Sequence, residues 1–108
     1  MITDDDVEKA IDYLRDSATN AAQSRANRIY MDEFRKSLKA LIMREYNHLP
    51  VGAQEREAYA DDRYLKHLEA MKIAIAQDEK NRFTRIAAEA KIEAWRSFSA
   101  NHRAVKIL

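Results

Sequence analysis

The stretch that decides the fold is His48-Leu49-Pro50-Val51-Gly52, which lies near the middle of a 108-residue chain with one proline and one glycine. Pro50 has no amide hydrogen and restricts the residue before it, so a helix arriving from the N-terminal side should end there. Gly52 can adopt a positive φ, which would let the chain turn. The sequence therefore predicts a helix over residues 4–48, a turn at 48–52, a helix over 53–101 and a frayed basic tail over 102–108.

Start signals and apolar spacing support the two helices. Thr3 precedes three aspartates, a pattern typical of a helix N-terminus with Thr3 as the N-cap. The segment around Thr19 is rich in Ala, Ser, Thr and Asn, so the first helix either continues there with a narrow seam of small residues or breaks near Thr19. Elsewhere apolar residues recur at steps of three and four, as they do on one face of a helix. Examples are Val7, Ile11 and Leu14 in the first helix, and Leu68, Met71 and Ile75 in the second.

Composition indicates an all-α chain. Charged residues make up 34% of the sequence, and the scarcity of glycine and proline is typical of long helices or a coiled coil. The absence of cysteine excludes disulfides and thiolate metal sites. No apolar run is long enough for a membrane span, and the acidic start is unlike a secretory signal, so we expect a soluble cytoplasmic protein with no membrane partner.

The distribution of charge predicts how the two helices are arranged. Residues 1–16 carry a net charge of −4, residues 25–46 carry +3, residues 47–79 carry −3 and residues 80–108 carry +5. If the chain folds back at Pro50, each block lies beside one of opposite sign. We therefore predict a long antiparallel two-helix hairpin, similar to a coiled coil, as a single domain.

A two-helix hairpin leaves apolar side chains without cover. Tyr30, Ile42, Ile73, Ile92 and Trp95 have no obvious partner, which predicts a homo-oligomer, either a dimer or a larger assembly. The alternative is a compact three-helix domain, made by a break near Thr19 or near Asp78, that covers the same residues internally.

No catalytic constellation is present in the sequence. The histidines, His48, His67 and His102, lack metal-binding spacing, and no glycine-rich loop could hold a phosphate. The acidic pairs at 61–62 and 78–79 read as solvated helix faces, because carboxylates working as acid and base need a cleft. We expect a protein that is not an enzyme and that uses neither a cofactor nor a metal.

The C-terminal segment combines the single tryptophan with basic residues. Such a combination could stack on bases and hold phosphates, which makes it a candidate nucleic-acid or partner-binding site. In the alternative interpretation, Trp95 and Phe98 belong to the core, and the basic residues at 91, 96 and 103 form ion pairs with the aspartates at 4–6. Contact with a partner protein is a third interpretation. The candidate site residues are Lys91, Trp95, Arg96, His102, Arg103 and Lys106.

Three stretches suggest a relationship: VEKAIDYL at 7–14, VGAQEREA at 51–58 and IEAWRSFSANHR at 92–103. Together they resemble a family of small, mostly uncharacterised tailed-phage and prophage proteins. The Trp-Arg-Ser motif is the most specific part, although family members usually continue with two basic residues and a glycine where this chain has His102-Arg103 and then Ala104-Val105. Members of this family look to be encoded near single-strand annealing proteins and exonucleases. The resemblance therefore implies an accessory role in DNA metabolism.

Three functions remain open at this point. The first is a self-associating helical adaptor that binds a phage or host protein of DNA recombination or replication. The second is direct binding of single-stranded DNA through the basic C-terminal segment, and the third is inhibition of a host defence or repair enzyme.

Overall fold

The computed structural model describes residues 1–107, and within that range every regular element is a helix. The prediction of an all-α fold is confirmed. The helices are α1 (Asp4–Asp16), α2 (Ala18–Glu45), α3 (Val51–Ala60) and α4 (Asp62–Ile107). They form two compact units: the first comprises Met1–Ala22 and the chain from Glu79 onward, and the second comprises Gln23–Asp78.

Helix α1 begins with the predicted N-cap. The Thr3 hydroxyl accepts a hydrogen bond from the Asp6 amide at 3.1 Å, and the Thr3 amide donates to the Asp6 carboxylate at 2.9 Å. This reciprocal pairing satisfies amides that have no partner inside the helix. The hydrogen bond from the Thr3 amide also holds the pKa of the Asp6 carboxyl below its usual range.

The predicted first helix is interrupted at Ser17, two residues before Thr19. Arg85 of α4 explains the position: its Nη1 donates to the Leu14 carbonyl at 3.0 Å and to the Ser17 hydroxyl at 2.8 Å. The carbonyl at the end of α1 therefore has a side-chain partner. The following helix, α2, ends at Glu45 rather than at residue 48.

The predicted second helix is also interrupted, at Asp61, where the sequence pattern gave no break. Asp61 has extended backbone dihedrals, φ −66° and ψ 137°. Its carboxylate accepts from the backbone amide of Arg63 at 2.8 Å and from the Arg63 side chain at 3.0 Å. Asp61 thus acts as the N-cap of α4, because a short acidic side chain competes with the helix for nearby amides.

The turn around Pro50 differs from the prediction in one respect. Pro50 precedes α3 as its N-cap residue, with φ −58° and ψ 154°, and residues 46–50 form the connection from α2. Gly52 lies inside α3, and no glycine in the described range has a positive φ. The expectation that Gly52 supplies the turn is therefore wrong, since the residues before Pro50 make it.

Replacing Gly52 with alanine should stabilise the protein by about 0.5–1 kcal/mol, because alanine restricts the unfolded chain and favours helix. A Cβ added at Gly52 meets no heavy atom within 4 Å. Urea unfolding followed by circular dichroism would measure the change. A loss of stability would contradict the helical placement of Gly52.

The second unit has its core where α2, α3 and α4 meet. Ile42 and Ala58 are fully buried, and Tyr64 is 4% exposed. Ile42, expected to lack cover, is buried because the separate helix α3 places Ala58 against it. The Arg28 side chain donates to Asp78 at 3.0 Å, and Arg63 pairs with Glu45, so α2 and this part of α4 run antiparallel.

The first unit pairs α1 with the second half of α4, and its buried residues are small. Val7, Ala10 and Ala88 form its core. The Trp95 indole nitrogen donates to Asp4 at 2.9 Å at one end of α1, and Arg85 reaches the other end, so these helices are also antiparallel. Helix α4 continues to Ile107, so 102–107 is helical rather than frayed, and Leu108 lies outside the described residues.

Candidate interaction site

All six predicted site residues lie on α4 in the first unit, but they do not converge on one surface. Successive positions on a helix are rotated by about 100°, so Arg96 and Arg103, seven residues apart, share one face. Lys91 and His102 are rotated from that face by more than a right angle. The basic residues therefore surround α4, and the structure does not gather them into a single patch.

Trp95 is half-buried and hydrogen-bonded within the unit. Its indole N–H donates to the Asp4 carboxylate at 2.9 Å, which fastens α4 to the first turn of α1. This contact supports the interpretation in which Trp95 belongs to the packing of the protein, although the partner of Asp4 is the indole rather than a basic side chain.

The remaining basic residues of the site are exposed. Arg96 pairs with Glu93 on its own helix at 2.8 Å, and both side chains are about two-thirds exposed. His102, Arg103 and Lys106 lie near the end of α4, where every side chain from 100 to 106 is exposed. This end offers positive charge to solvent.

A shallow groove lies between α1 and α4 in the same unit, with a volume of about 250 Å³. Alanines form its floor, and the charged ends of two lysines can reach its rim. The Lys9 ammonium pairs with the Asp5 carboxylate at 2.9 Å, and its hydrogen bond to this carboxylate raises the pKa of Lys9. The groove is lined by Lys9, Ala10, Tyr13, Thr84, Ala87, Ala88 and Lys91.

Of the residues that line this groove, Lys91 alone was predicted from the sequence as a site residue. Tyr13 and Thr84 could not be predicted as lining residues, because an amphipathic pattern ranks positions by hydrophobicity and neither residue is strongly apolar. The signal that could have found the groove is the alanine at position 10 opposite alanines at 87 and 88. Small side chains leave a depression where larger ones would fill the space between two helices.

The histidines and carboxylates do not assemble into a metal centre. His67 Nε2 lies 2.7 Å from the Met31 carbonyl oxygen, and its ring packs beside Phe34 with centroids 5.6 Å apart. Within residues 1–107, no group of three or more His, Cys, Asp or Glu side chains is arranged to hold a metal ion. Over the same range, no helix has the length and apolarity needed to cross a bilayer.

Comparisons of this chain with protein-family models, with curated proteins and with solved structures find no match.

Proposed function

We propose that this chain is a non-enzymatic helical interaction module that self-associates. The observation that carries the proposal is the imbalance between buried and exposed apolar residues. Seven apolar residues are buried in the described range, and four of them are alanines. Fifteen large apolar residues are exposed, among them Tyr30 at 65% and Ile73 at 71%. Exposed apolar residues mark sites of association where they form contiguous patches, and long amphipathic helices bring such residues together on one face.

The total surface supports the same conclusion. The folded chain exposes 8168 Å², whereas a compact monomer of 12.6 kDa would expose roughly 6,200 Å². The difference, about 2,000 Å² for one chain, is within the range that each partner buries in a large obligate interface, since such interfaces bury about 2,000–5,000 Å² over both partners. Association with further chains would bring the exposed surface close to that of an ordinary globular protein.

The proposed architecture is a long antiparallel helical hairpin. Support comes from the antiparallel pairing of helices inside each unit and from the alternation of charged blocks along the sequence. Such a scaffold presents long helical faces, which are the usual means by which helical adaptors bind other helices.

The biological role that we propose is accessory to phage DNA recombination or replication in the host cytoplasm. It rests on the resemblance of the stretches at 7–14, 51–58 and 92–103 to phage proteins encoded beside recombination genes. The expected partner is a phage or host protein of DNA metabolism. Fluorescence anisotropy with a purified phage single-strand annealing protein would test this role, and the absence of binding to such proteins would count against it.

Self-association has a thermal signature. A protein whose folded state is an oligomer melts at a temperature that rises with concentration, because mass action favours the assembled form. We expect the melting temperature from circular dichroism to increase between two samples about a hundredfold apart in concentration. An unchanged melting temperature would indicate a folded monomer and contradict the proposal.

Direct binding of single-stranded DNA is the second candidate. The observation in its favour is the exposed basic end of α4, which carries His102, Arg103 and Lys106. Affinity for a dT oligonucleotide should then fall steeply with added salt, and Arg96→Ala and Arg103→Ala should each weaken binding. The absence of an electrophoretic mobility shift of the oligonucleotide at low salt would contradict direct DNA binding.

A further inference from the structure

We propose that the groove between α1 and α4 of the first unit is the surface on which a second copy of this chain docks. This inference rests on the proposed self-association and specifies the surface that performs it. The groove continues along α4 as an exposed seam at alternating steps of three and four residues. The seam consists of Thr84, Ala87, Lys91, Ala94 and Phe98, and all five are exposed.

Alternating steps of three and four are the spacing with which one helix packs along another. The alanines at 87 and 94 permit a close approach of the partner helix, and Phe98, 55% exposed, supplies a large apolar side chain at the end of the seam. The Thr84 hydroxyl donates to the Lys80 carbonyl at 2.7 Å, so its burial in an interface would not leave that donor unpaired.

Charge identifies the occupant as a second copy. In the sequence, residues 1–16 carry −4 and residues 80–108 carry +5, so the first unit consists of one acidic and one basic helical segment. When two such pairs face each other across their grooves, each acidic helix can lie beside the basic helix of the partner. Four helices that alternate in sign around a square attract along every side.

Charge also determines the symmetry of the dimer. A twofold axis parallel to the helices places α1 beside the partner's α4, whereas a twofold axis across them, within the interface plane, places α1 beside the partner's α1. The second arrangement brings two acidic helices together and is disfavoured. In the first arrangement neighbouring helices are antiparallel, and Lys91 faces the acidic first turn of the partner's α1.

Ala87→Arg tests the inference, because it places a bulky cation in the seam. The full-length variant should raise the dimer dissociation constant about tenfold or more, measured by analytical ultracentrifugation. Ala100→Arg is the matched control: Ala100 is also exposed on α4 but lies on the side of the helix away from the seam, so its dissociation constant should stay near the wild-type value. Helical circular dichroism would verify that both variants fold.

Lys91→Glu provides a second variant, which reverses one charge of the seam without adding bulk. Because Lys91 also attracts Asp6 of its own α1, circular dichroism would verify that this variant folds. It should weaken the dimer, and raising the salt from about 0.05 M to about 0.5 M should weaken the wild-type dimer too, since salt screens the attraction between helices. A wild-type monomer would overturn this inference together with the proposed function. A wild-type dimer that withstands both Ala87→Arg and Lys91→Glu, or that Ala100→Arg disrupts equally, would overturn this inference alone.

Discussion

Replacement of Tyr64 with alanine is expected to destabilise the protein by about 3–5 kcal/mol, the usual loss when a large aromatic side chain is removed from a core. Tyr64 is buried beside Ile42 and Ala58, and its ring meets the Tyr59 ring edge-on with centroids 5.4 Å apart. The substitution removes a buried contact between α4 and the helices α2 and α3, so the melting temperature should fall by roughly 10–20 °C.

Chemical denaturation of Tyr64→Ala and Tyr64→Phe would measure this effect. The phenylalanine variant keeps the buried ring and removes only the contact of the hydroxyl with Arg35, so it should lose less stability than the alanine variant. If Tyr64→Ala unfolds at the same denaturant concentration as the wild type, the three-helix core described for the second unit does not exist.

Replacement of Ile42 with alanine has the second-largest expected effect, a loss of about 2–5 kcal/mol in the free energy of unfolding. The Ile42 side chain is fully buried, with a relative exposure to solvent of 0%. Truncation leaves a cavity that α3 can fill only by moving.

The adjacent residue provides the control for this substitution. Leu41 lies on the same helix but is 46% exposed, so Leu41→Ala should change the free energy of unfolding by less than about 1 kcal/mol at a protein concentration low enough to keep the chain dissociated. Equal losses for Ile42→Ala and Leu41→Ala would contradict the assignment of the buried face of α2. Unfolding of both variants in urea, followed by circular dichroism, makes the comparison.

The helical content of the chain could be predicted from its composition because few residues other than helix formers are present. The capping of α1 was also predictable, since Thr3 and Asp6 act over a single turn. The breaks at Ser17 and Asp61 were harder to predict. The first depends on Arg85, which is distant in the sequence, and the second on an aspartate whose capping contact with Arg63 competes with a continuous helix.

The candidate site was predictable only in part for a related reason. Hydropathy and charge identified Lys91 and Trp95, but they could not show that the Trp95 indole donates to Asp4, because that contact joins residues from opposite ends of the chain. The groove depends on the absence of side-chain volume at Ala10 and Ala88. A depression of this kind becomes visible only when the two helices are placed together.

The central claim, that the folded chain associates with copies of itself, is tested most directly by sedimentation equilibrium of the full-length protein. The exposed apolar surface of both units predicts a mass that is a multiple of 12.6 kDa, with dissociation on dilution. A mass of 12.6 kDa at every concentration up to about 100 µM would contradict the claim, since interfaces of the expected size are stable well below that concentration.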